Sequence, residues 1–550
     1  MLRFCRCVSV GLLVTLLCMP GLGQESQSSP VIKKKMIELG WDSPSTQFLR
    51  DNWQEMEQKS PFDGVIFRLA PDGKPSSLEL MSAAKWNKED YASCIDDLKA
   101  CHFQQFTDNF VNIFFTPGNV DWQDDAGWSA VAEKAGICAW VAQESGCRGI
   151  SLDFESYGEA MFQYKPEKGL SWQETCALAE RRGREFVDAI ACQKPDAVLL
   201  CLWMNSINLS AGMLPDPNVQ LRGEHYGLLP AFINGMLAAA PKEMTFVDGC
   251  EYGYYYNSQS EYQKAALDML LITGPATNLV KPELRDKYRT QVQAGFGFYL
   301  DMFTNPEGNV FYRGPKEGGT RLDRLRDNLT YAWNSADQYV WVYGEKHRWW
   351  NVAAGGPDSR HWDEALPGLL DTLRTIKNPD IAGARFREKV TSDPNAVNLV
   401  KNGDFSLGTT GEAPSDWWTW QIENKPAGTL LWDAESHLAV AKNVYNGCFG
   451  QNVPVKPGEV HYVRCKIKSN EMSSASMSVR WKSPSGTWTQ QAYDVRCYVA
   501  PDAHAPDADG YYTVEKVVMV PEETGFLVIL LSGRAQAPND WAFFKDVAVY

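Results

Sequence analysis

Three short apolar runs end in carboxylates. Residues 149–157 read Gly-Ile-Ser-Leu-Asp153-Phe-Glu155-Ser-Tyr157, residues 246–256 read Phe-Val-Asp248-Gly-Cys-Glu251-Tyr-Gly-Tyr254-Tyr-Tyr, and residues 342–350 read Val-Tyr-Gly-Glu345-Lys-His-Arg-Trp349-Trp350. In an extended segment alternate residues share a face, so Asp153 and Glu155 point the same way. Two acids so placed repel, which raises the pKa of one and makes it a proton donor near neutral pH. The rival role for either is to cap the next helix or to pair with an arginine. Asp248 and Glu251 stand among tyrosines. Carboxylates accept hydrogen bonds from hydroxyls while aromatic rings stack on apolar C–H faces, the mixture a pyranose subsite needs. Packing is the rival role for Tyr254–Tyr256. Glu345 has three readings: a nucleophile, a ligand to a sugar hydroxyl, or a rim ion pair with Lys346 or Arg348. Trp349 and Trp350 read as exposed rings beside it.

Parallel strands would deliver such groups to one place. Eight short apolar runs recur: Met36–Trp41, Phe62–Leu69, Phe110–Thr116, Gly149–Glu155, Val198–Met204, Thr245–Tyr252, Gly295–Asp301 and Tyr339–Gly344. Runs apolar on both faces suit strands buried on both sides. Helical spacing lies between them, as in Trp172–Ala191 behind the N-cap Ser171 and in Leu322–Ser335. Eight such strands alternating with helices predict a (β/α)8 TIM barrel, whose reactive groups sit at the C-terminal ends of its strands. A doubly wound open sheet is the competing topology. On the same rim fall Trp41 and Asp42, Arg68, Trp203 and Asn205, and Tyr299 and Asp301, with weight as a group rather than singly.

Other chemistries find little support. There is no GxSxG elbow, no HExxH, and no GxGxxG or GxxxxGK[ST] loop after a strand. The 7 histidines are scattered, which speaks against a metal triad or a Ser-His-Asp hydrolase. The net charge is −15, from 53 Lys+Arg against 68 Asp+Glu. Such a surface repels phosphate backbones and anionic lipid, so nucleic-acid and membrane partners are not expected; it disfavours strongly anionic polysaccharides only weakly, because a local basic cleft stays open. Residues 1–23 carry a charged start, the apolar run Val8–Leu17 and small residues at Gly21 and Gly23. They read as a cleaved signal peptide of a secreted or periplasmic protein, with a lipoprotein anchor at Cys18 as the rival. No later run is long enough for a membrane span. Of 14 cysteines, three lie in that leader; the rest read mainly as buried thiols, with a disulfide or two open.

Composition changes after the barrel, taken as residues 24–375, and a linking segment 376–397 precedes a region of short alternating strands and turns over 398–550, an all-β sandwich. Trp418, Trp420, Trp481 and Trp488 are its candidate sugar platforms.

Two resemblances add to this. The end of the fourth run resembles the D-x-E strand end of glycoside hydrolases, especially the chitinase-like family 18, at Gly149, Asp153, Glu155 and Tyr157, and departs from it at Arg148 and Ser151, where that family has Asp. The resemblance implies glycosidic-bond hydrolysis with Glu155 as general acid and Asp153 as its electrostatic partner, no cofactor for catalysis, and a carbohydrate substrate. Residues 398–406 (Asn-Leu-Val-Lys-Asn-Gly-Asp-Phe-Ser) and 541–549 (Trp-Ala-Phe-Phe-Lys-Asp-Val-Ala-Val) resemble the opening and closing strands of jelly-roll carbohydrate-binding modules of families 4, 9, 16 and 22. That implies a galactose-binding-like sandwich that holds sugar, often with a structural calcium. The alternative function is a non-catalytic glycan-binding protein on a barrel scaffold. A lyase or esterase would need a Tyr/His or Ser/His base that the sequence does not show.

Overall fold

The computed structural model describes residues 33–116, 118–350, 360–499 and 505–550. The expected leader lies outside them. The chain divides into two compact units between Leu370 and Asp371.

The first unit is a parallel barrel. Its strands are β1 (Lys35–Gly40), β2 (Gly64–Phe67), β3 (Phe110–Phe114), β4 (Gly149–Asp153), β5 (Val198–Cys201), β6 (Thr245–Asp248), β7 (Val292–Ala294), β8 (Phe296–Tyr299) and β9 (Tyr339–Gly344). Each of the eight predicted runs contains or overlaps one of them. The seventh run, Gly295–Asp301, holds β8, which pairs with β9, while β7 lies just before it across Gly295 and pairs with β6. β9 pairs in turn with β1, so the sheet comes round on itself. A Cβ on Gly295 would stand 2.6 Å from Val247 Cγ1, which is why the interruption falls on a glycine.

Register decides which side chains face inward, because paired residues in a parallel sheet point the same way. The pairs Ile37 with Trp341, Leu39 with Tyr343 and Tyr299 with Tyr343 carry one face across β1, β9 and β8. On the other side Ile66 with Phe110, Phe114 with Asp153, Ser151 with Leu200, and Leu200 with Val247 continue it. This face is the interior: Trp341 reaches past β8 and donates its indole N–H to the Gly249 carbonyl at 2.9 Å. The opposite face meets helices, as where Phe296 packs edge-on against Tyr262 of the helix Gln259–Leu270. At the N-terminal end Lys35 pairs with Asp108 at 2.7 Å, and the Tyr339 hydroxyl donates to the same carboxylate at 2.8 Å.

The predicted helix behind Ser171 spans Trp172–Gln193, with Ser171 and Glu174 forming a reciprocal capping box. It packs backbone to backbone on the helix Leu229–Ala239. A Cβ on Gly183 would lie 2.0 Å from the Phe232 carbonyl oxygen, and one on Gly235 would lie 1.9 Å from that of Glu180.

In the second unit ten antiparallel strands form two sheets. They are β10 (Trp418–Gln421), β11 (Thr429–Asp433), β12 (Leu438–Lys442), β13 (Asn446–Pro454), β14 (Val460–Ser469), β15 (Ala475–Lys482), β16 (Val495–Tyr498), β17 (Tyr512–Met519), β18 (Phe526–Arg534) and β19 (Trp541–Val549). One sheet runs β10-β13-β18-β15-β16 and the other β11-β12-β19-β14-β17. Phe449, Met477, Leu531 and Phe544 are among the apolar side chains between them. Trp481 is buried in that core with its indole N–H on the Tyr493 carbonyl, so it offers no platform to a sugar. Most of the segment read as a link is the helix Pro379–Ser392, which lies on β14 and β17 with Arg387 paired to Glu515.

The two glycine contacts differ from that of Gly136, where a Cβ would meet its nearest neighbour at 3.4 Å. Gly183→Ala should therefore destabilise the barrel unit by about 1–3 kcal/mol, through overpacking. Gly136→Ala, also mid-helix, should be neutral or stabilise it by up to about 1 kcal/mol. Urea unfolding of both variants checks the contrast.

Candidate active site

Glu155, Glu251 and Glu345 each follow an inward residue by two positions: Asp153 on β4, Gly249 after β6, and Tyr343 on β9. For Glu251 the turn passes through Cys250 at φ 36 and ψ 72, a left-handed conformation that a side-chain-bearing residue rarely adopts. Their charges act on one another. Burial first, and then the negative charges of Glu155, Asp153 and Glu345, push the Glu251 carboxyl up to about 9. Among the described residues no hydrogen bond reaches that carboxyl. Asp153 is raised to about 7 by burial; the Glu155 backbone N–H, donating at 2.7 Å, opposes this while the Glu155 charge adds to it. The four acids thus share one poorly solvated mouth at the C-terminal end of the barrel.

Phenols surround them. Tyr254 lies 5.1 Å from Tyr299 at an interplanar angle of 31°, and Tyr299 stacks on Tyr343 at 5.4 Å. The Tyr343 hydroxyl donates to Glu345 at 3.1 Å, and the Tyr157 hydroxyl reaches Asp153 at 3.5 Å. Tyr226 accepts the Ser156 backbone N–H at 3.4 Å. Burial pushes Tyr226 up to about 12, and Glu155, Asp153 and Glu251 add to the shift, so it too borders the mouth. Tyr226 and Tyr343 escaped the sequence reading. Tyr343 had a signal, the period-two step back from Glu345. Tyr226 lies in the irregular β5–β6 connection and had none.

The remaining predicted residues fall elsewhere. Asp248 lies on the outward register and is fully buried, accepting from the Met204 and Ser206 backbone N–H groups at 2.9 Å each and from the Ser206 hydroxyl. Asp301 is equally buried and takes the N–H groups of Glu345 at 2.8 Å and Lys346 at 3.1 Å. Asp42 takes those of Trp349 and Trp350 at 2.7 and 2.8 Å. All three hold loops instead of presenting carboxylates to a ligand. The tryptophans read as exposed are 2% and 5% exposed. Trp349 packs on Phe62 and Trp362, while Trp350 donates to Glu38 at 3.2 Å. Glu38 is buried on the outward face of β1, and that burial, then the charge of Asp42, raises its carboxyl while the Trp350 hydrogen bond opposes. Trp203 and Asn205 are buried as well, Trp203 edge-on to Tyr226 and Asn205 donating to Ala276 O. Trp41, 62% exposed, and Arg68, whose Nε is buried with no hydrogen-bond partner among the described residues, stand at the inward ends of β1 and β2.

Among the described residues no three His, Cys, Asp or Glu side chains group as a metal site would need, and the eleven cysteines are unpaired. No helix among them is long and apolar enough to cross a membrane. No family model matches the chain, and no curated protein matches it. Among solved structures it is similar to the enzymatically active domain of tailspike protein 4 of bacteriophage CBA120, at 16% identity and a TM-score of 0.22 over 28% of this chain and 21% of that one. It is also similar to TmCBM61 in complex with beta-1,4-galactotriose, at 17% identity and a TM-score of 0.19 over 28% of this chain and 98% of that one. The arabinose-bound MgGH51 α-L-arabinofuranosidase follows at 11% identity and 0.21, over 29% of this chain and 28% of that one. The chain thus spans about a fifth of the tailspike domain's length. Likeness this faint leaves the chemistry of the mouth to be judged from its own residues.

The folded chain holds a proton on Glu251 that the unfolded chain releases near its ordinary value of 4.5. Stability from this group is therefore lost as pH rises between 4.5 and about 9. Glu251→Gln keeps the neutral shape and removes the loss. It should stabilise the protein by up to about 4 kcal/mol near pH 7.5 and by nothing measurable near pH 4, read as the difference between denaturation curves at the two pH values.

Proposed function

We propose that this chain hydrolyses O-glycosidic bonds of a poly- or oligosaccharide, as an exported enzyme whose sandwich unit binds sugar. The observation that carries the reading is the company Glu251 keeps. It is one of three glutamates directed into the barrel mouth, and it retains its proton through neutral pH because burial and then the charges of Glu155, Asp153 and Glu345 raise it with no cation among the described residues to offset them. A neutral carboxyl at a strand end is the group a poor leaving alkoxide needs. Glu251 donates its proton to the glycosidic oxygen as the bond to the anomeric carbon breaks. Glu155 or Glu345 supplies the carboxylate for the oxocarbenium-like centre, either directly or through the water it activates. Tyr343 orients Glu345 through its 3.1 Å hydrogen bond, and the rings of Tyr254, Tyr299 and Tyr343 offer apolar faces to a pyranose. The resemblance of the fourth strand gives the acid's role to Glu155; the surroundings of Glu251 favour it instead.

The test is kinetic. General-acid catalysis contributes about 10² to 10⁴ in rate, so Glu251→Gln should lose that factor on a natural glycan and visibly less on a nitrophenyl glycoside, whose leaving group needs little protonation. The wild-type rate on the glycan should fall as Glu251 gives up its proton, towards about pH 9. Glu155→Gln or Glu345→Gln should lose activity on both substrates alike. Leaving-group dependence in Glu155→Gln would move the proton donor there. Binding without turnover across a glycan panel would mark a non-catalytic glycan-binding barrel and overturn the hydrolase reading.

A further inference from the structure

We propose that the sandwich unit binds an acidic glycan, one whose rings carry carboxylates, along the outer face of the β10-β13-β18-β15-β16 sheet. The inference rests on reading that unit as a sugar binder and adds the class of sugar. Register builds the groove. One row across the sheet runs Trp420, Cys448, Ser532, Ser476, Tyr498, and the next runs Trp418, Gly450, Leu530, Ser478, Arg496. The residues that alternate with these on β15, Met477 and Val479, point into the core, so both rows face away from it. The first row sets small side chains on the inner strands and an aromatic ring on each edge strand. The outcome is a groove of about 460 Å³ with a low floor and aromatic walls. Trp420 is 49% exposed, Trp488 41% and Tyr498 55%.

Its charge sets it apart. Arg480, Arg496 and Arg534 line it, and of the described lining residues Asp494 is the single acid. Arg480 is held, with Nε 2.7 Å from Asp494 and its guanidinium 4.3 Å from the centre of the Trp488 ring. Lys482 stands 4.6 Å from the same ring. Arg496 and Arg534 are exposed, and among the described residues neither is in an ion pair. A chain of net charge −15 therefore carries, in one groove, a surplus of cations beside flat aromatic rings. The long-range repulsion of the whole chain is screened beyond about 8–10 Å, while contacts in the groove are not. A planar guanidinium matches a carboxylate with two parallel hydrogen bonds, and the rings stack on the pyranose that bears it. A polyuronate presents both groups at each residue.

Binding of the full chain to polygalacturonate, to its methyl ester, to a neutral β-glucan, to dextran sulfate and to a single-stranded oligonucleotide tests this by affinity electrophoresis. The free acid should bind at least about tenfold more tightly than the ester, as charge-assisted hydrogen bonds would give. Arg496→Gln with Arg534→Gln should remove that preference, Trp420→Ala should weaken acid and ester alike, and added salt should weaken the acid alone. Equal binding of acid, ester and neutral glucan, unmoved by the arginine changes, overturns the acidic-glycan inference while sugar binding stands. Binding of no glycan at all overturns sugar binding by the sandwich itself. Dextran sulfate or the oligonucleotide held as tightly as the polyuronate and indifferent to Trp420→Ala would show plain ion exchange, and overturns the inference as well.

Discussion

Placing Glu251 beside Glu155, Asp153 and Glu345, away from bulk water, sets the terms for the rest of the barrel. Two like charges about 4 Å apart cost roughly 4 kcal/mol at an effective dielectric constant of about 20. Among the described residues no cation offsets this at Glu251, so the cost is met by a proton on its carboxyl. Asp153 is treated differently, its oxygen capped by the Glu155 backbone N–H. The geometry that enforces this closeness is itself strained. Cys250 adopts φ 36 immediately after Gly249, whose carbonyl is tied to Trp341. That bond anchors the far side of the turn from which Glu251 projects.

Three buried aspartates have other work. Asp42, Asp248 and Asp301 each accept two backbone N–H groups from a neighbouring loop. Charge-assisted bonds of this kind are among the strongest a carboxylate makes, and the short aspartate side chain reaches backbone close by. Two of the three hold the segment after β9: Asp301 at Glu345 and Lys346, and Asp42 at Trp349 and Trp350. Glu345 is thus fixed at its backbone by Asp301 and at its side chain by Tyr343. A misplaced loop would carry the carboxylate with it, so these buried aspartates position the site without touching a substrate.

The barrel was legible because strands buried on both faces leave unbroken apolar runs, and all eight could be counted before any contact was known. The closure was not, since it depends on Gly295 letting one strand serve two neighbours. Within the site, period-two alternation placed Asp153 and Glu155 correctly on one face. The same alternation, counted back from the inward Gly249, puts Asp248 on the outward face. Trp349 and Trp350 misled for a different reason: they follow a strand end, where exposure is expected, yet the chain after β9 turns back so that Trp350 reaches Glu38. Tyr226 and Glu38 owe their surroundings to segments distant in sequence, which no local pattern reports.

The two units distribute charge in opposite ways, and the contrast bears on specificity. In the barrel mouth the groups that shift Glu251 are all negative; Arg68, although on the inward register, is not among the charges acting on Glu251 or Asp153. A strongly anionic ring placed beside these acids would meet repulsion that a neutral ring escapes. In the sandwich groove the balance reverses, with three arginines against Asp494. In the readings proposed for the two units, the mouth therefore selects for a neutral ring and the groove for an acidic one.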